Sequence, residues 1–135
     1  MFETAPDVVG NHFATIQKSK FMLQKIRLLG FKVAFVAQDG ATKNNIDWSS
    51  FDCLFIGGTT KWKLSEYASN VVQEAKAKDK WVHMGRVNSY KRMRVAQAIG
   101  VDSVDGTSLA FAPDKNTKDL LTWIARINKQ PCFIY

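Results

Sequence analysis

A repeating unit constrains the fold of this chain more than any other feature: an apolar run, a polar end and an amphipathic helix follow one another about four times. The clearest apolar runs of strand length are residues 32–37, 51–56 and 81–84. Runs with so little polar alternation are typical of parallel strands that are buried on both faces. The chain is therefore predicted to be an α/β protein of consecutive parallel βα units. Such units form either part of a (β/α) barrel or an open doubly wound sheet.

The size and charge of the chain limit the kinds of protein that it can be. Its 135 residues, 46% of them hydrophobic, suffice for one domain that covers residues 1–135 and buries a core. No apolar run reaches membrane-spanning length and no secretory leader is visible, which favours a cytoplasmic protein without a membrane partner. The net charge of +7 favours a polyanionic partner through counterion release, although such a charge also serves solubility alone.

Apolar spacing and capping residues place the helices between the strands. The first helix is predicted over residues 13–29 and ends at Gly30. Its expected buried face consists of Phe13, Ile16, Leu23 and Ile26. Ser65 is the predicted cap of the next long helix, and Asn88 or Ser89 is the cap of the basic helix that follows residues 81–84.

The C-terminal part of the sequence continues the same pattern. A loop that contains Pro113 leads to a last helix, which Asn116 caps. The apolar tail, residues 131–135, is predicted to be either a further strand or a segment packed against a partner.

The ends of four successive strands carry groups of residues that suit a binding site. They are Gln38-Asp39, Gly57-Gly58, Met84-Gly85-Arg86 and Asp105. Because the carboxyl ends of parallel strands lie at one end of a barrel or sheet, we expect these groups to converge on one mouth. The sequence therefore predicts a binding site there.

Each of these residues has a chemical use at such a mouth. Gln38 can donate and accept hydrogen bonds at once, which suits the edge of a nucleobase. Gly58 and its neighbour Gly57 allow the backbone to approach a flat ligand, and Met84 offers a polarizable apolar plate. Asp105 can be a nucleophile or a base. Plainer interpretations remain open, namely a tight turn at the glycine pair, a core methionine and a loop aspartate that caps the next turn.

Metal and cofactor sites are not indicated by the sequence. Cys53 and Cys132 have no Cys or His at ligand spacing, so neither zinc nor a disulfide framework is expected. His83 is predicted to be a hydrogen-bonded structural histidine. The loop at residues 57–61 lacks the Gly-x-x-x-x-Gly-Lys-Ser/Thr pattern of nucleotide-binding loops.

Three segments in this order carry a family resemblance: residues 36–40 (VAQDG), residues 55–64 (FIGGTTKWKL) and residues 83–89 (HMGRVNS). Together with residues 100–105 (GVDSVD), they resemble the C-terminal part of the tRNA-guanine transglycosylase barrel. They are more similar still to its phage and bacterial relatives, which place 7-deazaguanines into DNA. The resemblance extends from about Ala5 to Trp123 and implies half of a (β/α)8 barrel.

The resemblance implies a role for each site residue. Asp105 corresponds to the nucleophilic aspartate, which attacks C1′ of the nucleotide, expels guanine and holds a covalent glycosyl-enzyme. Gln38 and the backbone of Gly58 correspond to groups that hydrogen-bond the base, Met84 to a residue that stacks on it, and Asp7 to the base-reading aspartate. The expected substrate-binding set is Asp7, Gln38, Gly57, Gly58, Met84 and Gly85.

The same resemblance implies a nucleic-acid substrate, either DNA or tRNA, together with a 7-deazapurine base and no cofactor. The target base would leave its stack to enter the pocket. Phosphate contacts are expected from Lys61, Arg86, Lys91, Arg92 and Arg94. The implied location is the cytoplasm of a bacterium or of a phage-infected host.

Two features of the family are missing from this sequence. The Asp-Ser-Gly-Gly-Phe segment with the second catalytic aspartate is absent, and so is the zinc cluster of the tRNA enzymes. The chain thus corresponds to the second half of a barrel, and its exposed sheet edges predict a homo-oligomer or a complementary half-barrel subunit. Two alternatives stay open: a non-catalytic nucleic-acid-binding or regulatory remnant of that fold, and a flavodoxin-like domain that binds a small ligand.

Overall fold

The structure is a computed structural model, and it describes residues 2–106 and the backbone of the strand at residues 133–134. The predicted loop at Pro113, the helix capped by Asn116 and Cys132 lie outside the described residues. Elements are numbered below in chain order.

Six parallel strands form one sheet in sequential order. They are β1 (Glu3–Thr4), β2 (Val33–Ala37), β3 (Cys53–Ile56), β4 (Trp81–Met84), β5 (Ser103–Val104) and β6 (Phe133–Ile134). The sheet curls into a half-barrel, which confirms the predicted α/β half-barrel of consecutive βα units. A doubly wound sheet would reverse its strand order at one point, and no reversal occurs among the described strands. The strand β6 confirms the strand interpretation of the apolar tail.

The helices lie between the strands in the chain. They are α1 (His12–Leu28), a short 3-10 helix (Trp48–Ser50), α2 (Thr60–Lys63), α3 (Glu66–Ala77) and α4 (Tyr90–Ile99). Side chains of Asn11, Thr59, Ser65 and Ser89 cap α1 to α4 in that order, each accepting a backbone N–H bond. The predicted caps at Ser65 and Ser89 are confirmed, whereas the sequence pattern did not indicate α2 or its cap.

The two faces of the sheet have different surroundings. The helix-facing side carries the hydrophobic core, which includes Phe35, Leu54, Ile56, Val82, Met84 and Val104. Since side chains alternate along a strand, the intervening residues point to the concave side. The strand register aligns Val36, Phe55, His83 and Ser103 in one row on that side, which we call the central row.

Helix α1 departs from its predicted orientation. Leu23 and Ile26 are buried as expected, but Phe13 is 65% exposed. The buried face instead begins with His12, whose N–H donates to the Asp39 carbonyl at 2.9 Å and whose Nε2 lies 2.9 Å from the Asn45 carbonyl oxygen. These polar contacts fix the rotation of the helix and turn Phe13 outward.

Candidate functional site

One layer of the concave side collects the predicted strand-end residues. Gln38, Gly57, Gly85 and Asp105 each follow a member of the central row by two positions. Because the side-chain period of a strand is two, they lie one step nearer the carboxyl ends of the strands, on the same side as the central row. We call these four residues the rim layer. The predicted convergence on one mouth therefore agrees with the register of the sheet.

The two glycines leave the middle of the rim layer without side chains. A Cβ atom at Gly57 would lie 2.7 Å from Nε2 of Gln38 and 2.8 Å from Cγ1 of Val36. A Cβ atom at Gly85 would lie 2.7 Å from Cε1 of Phe55. Glycine is thus required at both positions for Gln38 and Phe55 to keep their places, because these side chains occupy the space that a Cβ atom would fill.

The carboxylate of Asp105 is held from two directions. Its Oδ2 lies 2.7 Å from Nε2 of His83, and its Oδ1 accepts the backbone N–H of Arg86 at 3.1 Å. The hydrogen bond from His83 lowers the pKa of Asp105 most, burial opposes this, and the Arg86 N–H lowers the pKa further. Asp105 is therefore ionised at neutral pH and fixed in orientation.

His83 links Asp105 to the interior of the concave side. It is 3% exposed, and its Nδ1 lies 2.7 Å from Oγ of Ser103, which also accepts a bond from Nε1 of Trp81 at 3.0 Å. An ionised carboxylate can only accept, so Nε2 of His83 carries the hydrogen shared with Asp105. The prediction of a hydrogen-bonded histidine is confirmed, but its contact with Asp105 was not foreseen.

The opposite end of the rim layer contains a side-chain pair. Nε2 of Gln38 donates to Oδ2 of Asp7 at 2.6 Å, and Oε1 of Gln38 accepts the N–H of Gly10 at 2.9 Å. Gln38 is only 2% exposed. Asp7 and Gln38, which lie 31 residues apart in the chain, are thus brought together as two of the predicted base-binding residues.

Met84 lies elsewhere than predicted. It is fully buried in the core on the helix-facing side, whereas its neighbours His83 and Gly85 belong to the concave side. Strand alternation forces this difference, because adjacent residues of one strand point to opposite faces. Its position does not support the predicted stacking on a ligand. The aromatic ring next to the rim layer is that of Phe55, which is tilted against the His83 ring with centroids 4.9 Å apart.

Gly58 lies in a turn that is tied to the preceding strand end. Its φ of +79° is left-handed, and a Cβ atom there would lie 2.9 Å from Oδ1 of Asp39. Asp39 accepts the N–H of Thr59 at 2.8 Å and its hydroxyl at 2.6 Å. Burial alone would raise the pKa of Asp39, but the bonds from Thr59 outweigh it and the pKa is lowered. The loops after β2 and β3 are therefore joined.

A cluster of cations surrounds the Asp105 end of the rim layer. Nζ of Lys63 is buried and donates to the Gly85 carbonyl at 2.6 Å, while Nη1 of Arg92 donates to the Arg86 carbonyl at 3.0 Å. Burial lowers the pKa of Lys63 to about 8, aided by Arg86 and Arg92 and opposed by Asp105. Lys63 was not among the predicted site residues.

The remaining predicted phosphate-binding residues are on the surface. Lys61 is exposed on α2, and Lys91 and Arg94 are exposed on α4. The Arg94 guanidinium lies 5.8 Å from the centroid of the Tyr90 ring. Of the predicted set, Arg86 and Arg92 are the two with direct contacts to the turn that holds Asp105.

The fold and the site together define an α/β half-barrel with an ionised aspartate at the carboxyl ends of its parallel strands. No protein-family model, curated protein or solved structure matches the chain significantly. Within the described part of the chain, no cluster of His, Cys, Asp or Glu suited to a metal ion is found. No helix among those described is both long and apolar enough to cross a membrane.

Proposed function

We propose that the chain is the nucleophile-bearing half of a nucleic-acid base-exchange transglycosylase, which replaces guanine in DNA by a 7-deazapurine through a covalent intermediate on Asp105. The rim layer carries this proposal. It holds an amide at Gln38 and an ionised carboxylate at Asp105 on one side of the sheet, with Gly57 and Gly85 between them in the register. Exchange of a base needs a group that hydrogen-bonds the heterocycle and a nucleophile that attacks its glycosidic bond, and these two residues supply both. The sequence resemblance supports the same reaction.

The reaction consists of two displacements at one carbon atom. The Asp105 carboxylate attacks C1′, the C1′–N9 bond breaks, and guanine departs with the electron pair and takes up a proton. The incoming 7-deazapurine then gives up its N9 proton and attacks C1′, and the bond from C1′ to the carboxylate breaks. One proton is taken up and one is released, and Asp105 is restored. Covalent catalysis of this kind replaces one difficult displacement by two easier ones.

The hydrogen bonds on Asp105 serve both steps. The donors from His83 and Arg86 keep the carboxylate ionised before attack. In the second step Asp105 is the leaving group, and the same donors stabilise the negative charge that returns to it. We therefore assign His83 the task of holding and stabilising the nucleophile.

Base recognition is assigned to the other end of the rim layer. Asp7 keeps one carboxylate oxygen that is free of the bond to Gln38, and it can accept N–H groups of a guanine edge. The left-handed turn at Gly58 lies against Asp39, the residue that follows Gln38. Phe55 takes over the apolar contact with the ring that the sequence suggested for Met84.

Nucleic-acid binding is assigned to the basic residues outside the rim layer. Arg86 is exposed in the turn that contacts Asp105, Lys91 and Arg94 are exposed on α4, and Lys61 is exposed on α2. Such contacts position the phosphate backbone without reading sequence. A guanine would have to rotate out of its stack to reach the rim layer.

The other half of the barrel is assigned to a second copy of this chain or to a complementary subunit. The edge strand β1 pairs with β2 only, among the strands that the structure describes, so its second edge is available for another strand. The concave side would then be enclosed from both halves, which excludes water from the covalent intermediate.

Trapping of the covalent intermediate tests the proposal. The purified chain, at concentrations below and above those at which it self-associates, is incubated with an end-labelled guanine-containing DNA oligonucleotide or with tRNA. We expect a denaturant-resistant protein–DNA adduct and incorporation of a radiolabelled 7-deazaguanine into DNA, both absent from Asp105→Asn. An adduct with tRNA alone would transfer the proposal to that substrate. Absence of adduct and exchange with both nucleic acids at every concentration would contradict catalysis by this chain alone or by two copies of it.

A second candidate function is nucleic-acid binding without turnover. One observation favours it: both ends of the Gln38 amide are occupied by Asp7 and Gly10, and the side chain is almost fully buried. A base-reading amide in this state has first to exchange its partners. DNA binding of equal affinity in the wild type and Asp105→Asn, with no adduct in either, would favour this candidate.

A further inference from the structure

Lys63 is a buried cation, and a contribution to stability does not by itself explain why a lysine is buried there. It is 3% exposed at the end of α2, and its Nζ donates to the Gly85 carbonyl at 2.6 Å. Among residues 2–106, no carboxylate forms an ion pair with it. Burial of an ammonium group without an ion-pair partner costs several kcal/mol in general. An apolar side chain of similar length would avoid that cost.

The acceptor of Lys63 and a donor to Asp105 belong to the same peptide group. The carbonyl of that peptide is Gly85 O, which accepts from Lys63, and its N–H is that of Arg86, which donates to Oδ1 of Asp105 at 3.1 Å. A positive charge at the carbonyl polarises the peptide and strengthens its N–H as a donor. Lys63 is thus connected to the carboxylate by a chain of two hydrogen bonds through one amide plane.

The turn that contains this peptide is held in an uncommon conformation. Arg86 has a φ of +56°, a left-handed value that is unfavourable for a residue with a side chain. Its own carbonyl accepts from Nη1 of Arg92 at 3.0 Å, and Val87 N–H donates to the Asp105 carbonyl at 2.6 Å. Successive peptides of the turn are therefore fixed by a cation on one side and by Asp105 on the other.

We propose that Lys63 is a positioning residue for Asp105, which acts by orienting and polarising the Gly85–Arg86 peptide so that the Arg86 N–H points at the carboxylate. This role rests on the function proposed above for Asp105. Lys63 itself touches neither the nucleic acid nor the base. It sets the orientation and the charge state of the group that attacks C1′ and that later leaves it.

The charged groups around Lys63 give the proposal a pH signature. Its pKa is lowered to about 8 by burial and by Arg86 and Arg92, while Asp105, itself bonded to His83, acts in the opposite direction. Lys63 is therefore mostly protonated at neutral pH and loses its proton in weakly alkaline solution. Deprotonation of Lys63 then weakens the Arg86 N–H as a hydrogen-bond donor, and this changes the environment of the Asp105 carboxylate.

Nuclear magnetic resonance tests this coupling without nucleic acid. The Arg86 amide proton and the Asp105 carboxyl carbon are followed in the wild type, Lys63→Met, Lys63→Gln and the control Lys61→Met, whose lysine is exposed on the same helix. At pH 7 we expect Lys63→Met to move the Arg86 amide proton upfield and to raise the pKa of Asp105. Lys63→Gln, which keeps a donor but no charge, should give a smaller shift, and Lys61→Met should give none.

The wild type alone also decides the matter if the variants do not fold. Its Asp105 carboxyl carbon should show a second, small inflection near pH 8, which reports the proton released by Lys63. Absence of that inflection, unchanged Arg86 and Asp105 signals in folded Lys63→Met, or equal shifts in Lys61→Met would each overturn the proposal. A confirmed coupling in a chain that forms no adduct would instead argue against catalysis by this chain and leave the coupling of Lys63 to Asp105 intact.

Discussion

The two ends of the rim layer hold their polar groups in different ways. At one end, Asp105 receives hydrogen bonds from a buried histidine and from the N–H of a peptide whose carbonyl accepts from buried Lys63. At the other end, Gln38 and Asp7 are bonded to each other. Under the proposed function, the Asp105 end has its geometry fixed in advance, whereas the Gln38 end has to exchange partners when a base binds. Catalytic groups benefit from fixed geometry, and a recognition group can use its ligand to complete its bonds.

The largest expected effect tests the functional side of this comparison. Asp105→Asn should lower base exchange by about a thousandfold or more, because the amide cannot form the covalent intermediate. Gln38→Leu should weaken base binding, with about a tenfold to hundredfold loss, because it removes a recognition group and spares the nucleophile. Steady-state exchange kinetics for both variants measure the difference. Equal losses in the two variants would contradict the division of roles.

The next effect concerns the loss of stability that comes from burying the Lys63 ammonium group at the Asp105 end. The pKa of Lys63 is lowered to about 8 in the folded chain from 10.5, so between these pH values the unfolded chain binds more protons. The free energy of unfolding of the wild type should therefore rise over this range relative to Lys63→Met, by about 3 kcal/mol at most. Urea unfolding from neutral pH to the ordinary pKa of lysine measures it, with Lys61→Met as control. A constant difference between wild type and Lys63→Met would show that Lys63 carries no such cost.

A smaller effect should come from adding a side chain between the two ends. Gly85→Ala puts a methyl group 2.7 Å from the Phe55 ring and should destabilise the fold by about 1–3 kcal/mol. The double variant Gly85→Ala/Phe55→Leu should recover much of this loss, since the smaller side chain makes room. Thermal unfolding of the single and double variants measures the recovery. Additive losses would mean that the ring and the glycine do not meet.

The smallest effect concerns the surface around the Asp105 end. Lys91→Gln on α4 should weaken DNA binding slightly and, if its side chain neutralises one phosphate, reduce the slope of log K against log salt by about one. Lys20→Gln is the matched control, because Lys20 is exposed on α1, and it should leave the slope unchanged. Fluorescence anisotropy over a series of salt concentrations measures both. A reduced slope for Lys20→Gln alone would move the nucleic-acid surface to α1.

Local patterns in the sequence were sufficient for much of the fold. The caps at Ser65 and Ser89 and the position of Asp105 after a short strand depend on residues within one turn or one strand. The sequence did not predict the side of the sheet to which Met84 points, because an almost continuously apolar strand does not show which residues face the helices. The burial of Lys63 depends on its hydrogen bond to Gly85, 22 residues away, which no local spacing encodes.

The strand register has a consequence for quality control of the chain. The rim layer exists only because four strands align Val36, Phe55, His83 and Ser103, each two positions before a rim residue. A slip of one residue in any of these pairings would turn that strand's contribution to the opposite face. Under the proposed function, a chain with mispaired strands would lack the rim layer and would therefore be inactive. Cleavage of glycosidic bonds in DNA would then be confined to copies of the chain that have finished folding.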